Sequence, residues 1–190
     1  ISLSKQGGRM RLFVGIQMPK EIRDRLKAIS FGLAGARWIT PDNLHATLRF
    51  IGDLDGPSVD DVDTALGGVH APGFSLTLNG VGQFGRGHMS HTVWAGIKTQ
   101  PALVHLHDKI ESASVRAGLD ADRRKFTPHV TLARLKKTPE HEIADWAQSI
   151  GDLKIGPFQV DSFQLFRSHL GHGPAHYQVL SEYALEPELV

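Results

Sequence analysis

Apolar positions repeat with two different periods along this chain, and the two periods predict a mixture of helices and strands. Over residues 20–33 they recur every three or four positions, which is typical of a helix that buries one face. Residues 11–17 form an apolar run that suits a buried strand, and Pro19 follows where a helix would begin. The pattern predicts a strand followed by a helix that covers a sheet.

The rest of the chain continues this mixture. Further helices are predicted over residues 59–69, 103–115 and 140–150, and strands over 37–39, 44–51, 74–78, 92–97, 126–135, 158–166 and 177–185. The Gly-rich stretch 80–91 is predicted to be a flexible connection. Because the elements do not alternate as regular βαβ units, we expect an antiparallel-rich α+β fold with helices outside.

Composition excludes several classes of protein. Hydrophobic residues make up 41% and charged residues 22%, which is ordinary for a globular domain and unlike a disordered chain. The formal net charge is +1, so any contact with RNA should be small. There is no cysteine, which excludes a thiolate nucleophile and a Cys-ligated zinc site.

No apolar run approaches the length needed to cross a bilayer, and no secretion signal opens the chain, so we expect a cytoplasmic protein. Residues 1–9 are polar and Gly-containing and precede Met10, where the strand-like pattern begins. We interpret residues 1–9 as a leader or an expression remnant, and residues 10–190 as a single domain.

Two copies of a His-x-Thr-Leu tetrad contain the strongest candidates for catalytic residues. They occur as HATLRF at 45–50 and HVTLAR at 129–134. Side chains two positions apart on a strand point the same way, so His45 with Thr47, and His129 with Thr131, each present an imidazole beside a hydroxyl. One copy would be weak evidence, but two copies, each after a proline-containing loop, disfavour coincidence. If the strands are neighbours, the four side chains line one groove.

Such a groove suits a phosphate. An imidazole has an ordinary pKa of about 6.5, so of two imidazoles one can act as base and the other as acid without a metal ion. Threonine hydroxyls can donate hydrogen bonds to phosphate oxygens, and a guanidinium can hold the developing charge. Arg49 and Arg134 are the candidates for that guanidinium. No metal is expected at the other histidines: no acidic residue is interleaved among His169, His172 and His176, and His105 and His107 point to different sides of a predicted helix.

Longer segments around these tetrads carry a resemblance to a known family. They are MRLFVGIQMP at the start, RWITPDNLHATLRFIGDL around the first tetrad, HTVWAGI in the middle and RKFTPHVTLARLKK around the second. The chain resembles the 2H phosphoesterase superfamily, and within it the RNA 2′,3′-cyclic phosphodiesterases, also called 2′-5′ RNA ligase-like proteins. The resemblance extends from Met10 to about residue 185.

This resemblance implies a bilobal α+β fold, in which two pseudo-symmetric antiparallel-rich sheets with outer helices flank a central cleft. It also implies hydrolysis of a terminal 2′,3′-cyclic phosphate to a 2′-phosphate, with no cofactor. By motif position His45 would be the proton donor and His129 the proton acceptor. The residues implied to bind phosphate or substrate are Thr47, Thr131, Arg134 and Phe50, the last by stacking on a base.

Strict alternation along the strands disagrees with part of this assignment. It places Arg49 on the same face as His45, whereas Arg134 and Phe50 fall on the opposite face from the histidine of their own motif. A strand end, a bend or a bulge would reconcile the two arguments. We therefore follow the resemblance for Arg134 and Phe50, and retain Arg49 as a secondary candidate for substrate binding.

Three functions fit these observations. The first is a monomeric phosphodiesterase acting on RNA ends or small cyclic nucleotides, with no membrane partner. The second is reversible 2′-5′ RNA ligation in the same cleft. The third is a noncatalytic RNA- or nucleotide-binding module, against which the intact histidine of each motif argues.

Overall fold

In the computed structural model, which describes residues 8–86 and 89–187, a nine-stranded sheet is packed against four helices. The strands are β1 (Met10–Gln17), β2 (Arg37–Trp38), β3 (His45–Leu54), β4 (Phe74–Arg86), β5 (Met89–Ile97), β6 (His129–Pro139), β7 (Lys154–Val160), β8 (Ser162–His169) and β9 (His176–Ala184). The helices are α1 (Lys20–Ala28), α2 (Gly56–Gly67), α3 (Pro101–Arg116) and α4 (Glu140–Ile150), and one 3-10 turn covers Pro41–Asn43.

The sheet consists of two halves that meet at β3 and β6. Its order is β7-β4-β5-β6-β3-β1-β8-β9, with β2 added on β6, and the ladders between these strands are antiparallel. Although β3 and β6 are both long, Ala46 and Val130 are the one registered pair between them in the described part of the chain. The two halves therefore diverge beyond this pair and leave a cleft. The predicted α+β, two-lobed arrangement is confirmed.

The helices cover the sheet with their apolar faces, as their periodicity predicts. Ile22 and Leu26 of α1 are buried, and so are Val59, Val62 and Leu66 of α2. Helix α2 begins earlier than predicted because Asp55 caps it, accepting a hydrogen bond from the Ser58 amide at 2.9 Å. No helix among the described residues is long and apolar enough to span a membrane.

The expectation of a flexible connection over residues 80–91 is wrong. Strand β4 continues to Arg86, and β5 begins at Met89, so most of this stretch is a long hairpin. Gly82 allows close packing between the strands rather than a flexible backbone, because a Cβ there would lie 2.2 Å from the ring of Trp94 on the neighbouring strand. The hairpin brings Phe84 and Trp94 against the second motif.

The single strand predicted over residues 158–166 is also wrong. Asp161 separates β7 from β8, and the two strands lie in different halves of the sheet. No glycine or proline marks the break, but the alternation changes phase there: Phe158 and Val160 precede the polar pair at 161–162, and Phe163 and Leu165 follow it. The chain thus returns to the first half, where β8 pairs with β1 and completes the wall beside His45.

Candidate active site

The antiparallel pair Ala46–Val130 brings the two His-x-Thr motifs together. Both residues are almost fully buried, so their neighbours on each strand face the opposite side of the sheet. Antiparallel register about this pair sets each histidine across from the threonine of the other motif. A cavity of about 520 Å³ is lined by all four of these side chains, namely His45, Thr47, His129 and Thr131.

Both imidazoles are held by the same hydrogen bond. His45 Nδ1 donates to the carbonyl of Asn43 at 2.7 Å, and His129 Nδ1 donates to the carbonyl of Thr127 at 2.6 Å. Because a carbonyl only accepts, Nδ1 must carry the proton in each ring. Nε2 is therefore the nitrogen available for proton transfer in both motifs. Each tether lies two residues before its histidine, so the local backbone supplies it.

Aromatic side chains surround His45. Its ring centroid lies 4.6 Å from that of Phe13, 5.2 Å from that of Tyr177 and 5.8 Å from that of Phe166. Burial among these rings, aided by repulsion from His129 and Arg134 and opposed by the hydrogen bond to the Asn43 carbonyl, lowers the pKa of His45 to about 4. In the ligand-free cleft, His45 is thus neutral near pH 7, and its Nε2 accepts from the Thr47 hydroxyl at 2.9 Å.

His129 has a different environment, supplied by the long hairpin. The ring of Phe84 packs edge-on at 5.0 Å between centroids, and Trp94 lies 5.9 Å away. Phe84 is substantially exposed, and His129 is half-buried. Phe84 is not among the predicted site residues, because residues 80–91 are predicted to be a loop; the aromatic residue among these glycines was the available signal.

A bulge follows the histidine and threonine in both motif strands. On β3, Arg49 pairs with Val14 and Thr47 with the next residue of β1, so Leu48 is extra. On β6, Ala133 pairs with Val93 and Thr131 with the next residue of β5, so Leu132 is extra. The two extra leucines occupy the same position in the two motifs. Each bulge reverses the facing of the residues that follow it.

The bulges decide which later residues reach the cleft. Phe50 and Arg134 stand five positions after their histidines, and both are exposed and line the cavity. Of the three devices that would reconcile alternation with resemblance, namely a strand end, a bend or a bulge, both strands contain a bulge. Arg49 does not line the cleft as alternation predicts, because the bulge turns its side chain away and leaves it 6% exposed.

Arg49 instead stabilises the wall of the cleft. Its guanidinium forms an ion pair with Glu111 on α3. It also donates to the carbonyls of Phe50 and Asp120. A buried guanidinium needs such partners to offset its lost hydration. Arg49 therefore joins β3 to helix α3 and to the loop that follows that helix.

The same network reaches Phe50 from outside. The second carboxylate oxygen of Glu111 accepts from the Asp122 amide at 2.8 Å, and Asp122 forms an ion pair of 2.7 Å with Arg124. The Arg124 guanidinium lies 5.6 Å from the centroid of the Phe50 ring. Since Glu111 orders this loop, it also positions the cation that covers Phe50.

No group of three or more His, Cys, Asp or Glu side chains within residues 8–86 and 89–187 is placed to hold a metal ion. Between the motifs the cleft presents two tethered imidazoles, two threonine hydroxyls and the guanidinium of Arg134, and the Arg11–Asp53 ion pair also lines it. Two matched half-sheets that each contribute a histidine and a threonine to one cleft define a 2H phosphoesterase.

Comparisons with known proteins agree with this class. The profile of the 2′-5′ RNA ligase superfamily matches residues 18–172. The RNA 2′,3′-cyclic phosphodiesterase of Escherichia coli K12 is 31% identical over 92% of this chain and 96% of its own length. That of Thermotoga maritima is 29% identical over 95% of this chain and 98% of its own.

Solved structures agree as well. E. coli LigT complexed with 3′-AMP superposes with a TM-score of 0.75 at 30% identity, over 94% of this chain and 99% of that one. TT0787 of Thermus thermophilus gives a TM-score of 0.76 at 26% identity, over 95% of this chain and 100% of that one. The chain belongs to the 2′-5′ RNA ligase superfamily, in its group of RNA 2′,3′-cyclic phosphodiesterases.

The lowered pKa of His45 predicts a specific dependence of stability on pH. Below about pH 6.5 the unfolded chain protonates this histidine while the folded protein keeps it neutral, so protons favour unfolding until the pH falls to about 4. The free energy of unfolding should therefore fall by about 2 to 3 kcal/mol more in the wild type than in His45→Gln between pH 7.5 and 4.5. Urea unfolding of both proteins at both pH values measures this. An equal loss in the two proteins would contradict the assigned pKa.

The Arg49 network predicts that Glu111 matters for stability. Glu111→Gln leaves the buried guanidinium of Arg49 without its counter-charge, and should cost roughly 2 kcal/mol or more. Asp108→Asn on the same helix is the matched control, since the Asp108 carboxylate is 69% exposed, and it should cost less than about 0.5 kcal/mol. Thermal unfolding of both variants compares them. Equal stability of the two would show that the network contributes little.

Proposed function

We propose that this protein opens the 2′,3′-cyclic phosphate at the end of an RNA to a 2′-phosphate, with His45 as proton donor and His129 as proton acceptor. One observation carries the proposal. Two imidazoles, tethered identically through Nδ1, line one cleft together with the two motif threonines. A cyclic phosphodiester needs one group on each side of phosphorus, and the pair supplies both.

The proposed reaction is an addition of water across one P–O bond. His129 Nε2 takes a proton from a water molecule while the oxygen of that water forms a bond to phosphorus. The bond from phosphorus to the 3′ oxygen breaks, and His45 Nε2–H gives its proton to that oxygen. One water is consumed, and the products are a 2′-phosphate and a 3′-hydroxyl. Neither a metal ion nor a cofactor takes part in this scheme.

Thr47 links phosphate binding to the proton on His45. In the free cleft the Thr47 hydroxyl donates to His45 Nε2, so its hydrogen is not available to a ligand. An anionic phosphate opposes the burial that lowers the pKa of His45, and so favours the charged ring. Once Nε2 carries a proton, Thr47 can donate to a phosphate oxygen instead. Substrate binding thus charges the acid that the reaction needs.

The other side chains of the cleft would hold the substrate. We assign Thr131 and Arg134 to the phosphate, because both line the cavity between the histidines and Arg134 is exposed toward it. We assign Phe50 to a base, since its ring is 55% exposed at the rim and backed by Arg124. The related E. coli LigT has been crystallised with 3′-AMP and with phosphate, which supports a nucleotide in this cleft.

As part of the same proposal, the protein acts as a monomer in the cytoplasm, on RNA ends or small cyclic nucleotides. Support for the monomer comes from the cavity itself, since one chain supplies both motifs and all of the phosphate-binding groups named above. We also treat residues 10–190 as one domain, because β8 and β9 return from the second half of the sheet to the first. The expected leader, residues 1–9, falls largely outside the described residues.

Purified protein should convert a 2′,3′-cyclic phosphate RNA end to a 2′-phosphate in the presence of EDTA. His45→Ala and His129→Ala should each lower kcat by about a thousandfold, because each removes one partner of the proton transfer. Both variants should still bind 2′-AMP through the remaining cleft groups, with an affinity within about tenfold of the wild type. His141→Ala, at an exposed position on α4, is the control and should keep full activity. Chromatography against 2′- and 3′-phosphate standards identifies the product.

Normal turnover by either cleft variant would contradict the assigned roles. Binding of 2′-AMP by the wild type without any turnover would identify a noncatalytic binding module. Including an RNA with a 5′-hydroxyl in the same assay tests for 2′-5′ ligation, which requires the same two histidines.

A further inference from the structure

Two arginines stand directly opposite each other beside the catalytic cleft. Arg37 on β2 is the registered partner of Arg134 on β6, and both are exposed. Directly opposed residues of an antiparallel pair have Cβ atoms about 5 Å apart on one face of the sheet. Both side chains line a second cavity of about 510 Å³, which shares a wall with the cleft.

This pair has no counter-charge in the described part of the chain. Arg11, Arg23, Arg49 and Arg124 each form an ion pair with a carboxylate, whereas neither Arg37 nor Arg134 does. The side chains that line the second cavity include no acidic residue; they are Arg37, Trp38, Ile39, Thr40, Asn43, Arg134, His172, Pro174, Ala175 and Tyr177. Like charges directly opposite each other on two strands are destabilising. An anion between them would remove that cost.

We infer that Arg37 and Arg134 form a second phosphate subsite, which holds the internal phosphodiester next to the cyclic end. The inference rests on the proposed function and deepens it. Arg134 lines both cavities, so a substrate whose cyclic phosphate lies between the histidines has its next phosphate directed past Arg134 toward Arg37. Guanidinium forks bind phosphodiester oxygens through paired hydrogen bonds. The preferred substrate is then an oligonucleotide rather than a cyclic mononucleotide.

The cavity on the other side of Phe50 is a poorer place for this phosphate. It is lined by Arg124 and Lys125, but also by Asp122, which already forms an ion pair with Arg124. That guanidinium is therefore partly neutralised and turned toward the Phe50 ring. Lys125 forms no ion pair in the described part of the chain, but it stands alone, whereas Arg37 and Arg134 oppose each other in register.

Comparing kcat/KM for two substrates distinguishes an effect on the second phosphate subsite from an effect on the reaction itself. One is 2′,3′-cyclic AMP, and the other is the dinucleotide ApA with a terminal 2′,3′-cyclic phosphate, which adds one internal phosphodiester. Arg37→Gln should lower kcat/KM for the dinucleotide about tenfold, mainly through KM, since it removes one charge-assisted hydrogen-bond donor set. Its kcat/KM for 2′,3′-cyclic AMP should stay within about twofold of the wild type. Arg37→Lys should recover part of the loss.

Arg116→Gln is the matched control, because this exposed arginine ends α3 and lines neither cavity. Arg116→Gln should leave kcat/KM for both substrates unchanged. An equal effect of Arg37→Gln on the two substrates, or no effect on either, would overturn the subsite. Turnover of neither substrate by the wild type would instead overturn the proposed function.

In that case the subsite is decided by calorimetric binding of 3′-AMP and of ApA with a 3′-phosphate. If the wild type binds ApA with a 3′-phosphate more tightly than 3′-AMP, and Arg37→Gln abolishes that difference, the subsite is supported. The same affinity for both ligands, or a gain that the variant retains, overturns it.

Discussion

The structure of the cleft depends on one backbone pairing, between Ala46 of β3 and Val130 of β6. The two side chains are buried, so the polar neighbours of each must face the other way. A single pair is enough to align the centres of both motifs, and because the strands pair no further in the described chain, space remains beside it for an anion. If the register slipped by one residue, the histidines and threonines would turn into the core.

The two motif strands have similar local structure, but they present different side chains to the cleft and place their histidines in different surroundings. Both motifs have a backbone tether on Nδ1 and a leucine bulge after the threonine. After the bulges the sequences differ, so one strand presents the ring of Phe50 and the other the guanidinium of Arg134. The surroundings also differ. His45 is enclosed by aromatic rings that lower its pKa, whereas His129 lies beside the exposed hairpin. The same backbone tether therefore holds one imidazole among buried rings and the other beside an exposed hairpin.

Much of this could be predicted from the sequence, because periodicity and repeated motifs are local signals. The class of fold, the pairing of the two tetrads and the family followed from them. Most of the failures depend on long-range packing. The glycines of residues 80–91 predict a loop, but they lie in a hairpin where Trp94 requires that Gly82 has no side chain. Alternation predicts the wrong facing for Arg49, because a bulge depends on the partner strand. The break at Asp161 is different, since the apolar alternation changes phase there although a single strand is predicted. The opposed pair of Arg37 and Arg134 is visible only once β2 is paired.

In the proposed mechanism the Nε2 atoms of both histidines contact one phosphate. A crystal structure of the protein with 2′-AMP, a mononucleotide product of the proposed reaction, is the decisive experiment. The phosphate should lie between the rings, within hydrogen-bonding distance of Nε2 of His45 and of His129, and should accept hydrogen bonds from Thr47 and Thr131. A phosphate bound by only one of the two imidazoles, or outside the cleft they share, would contradict this mechanism.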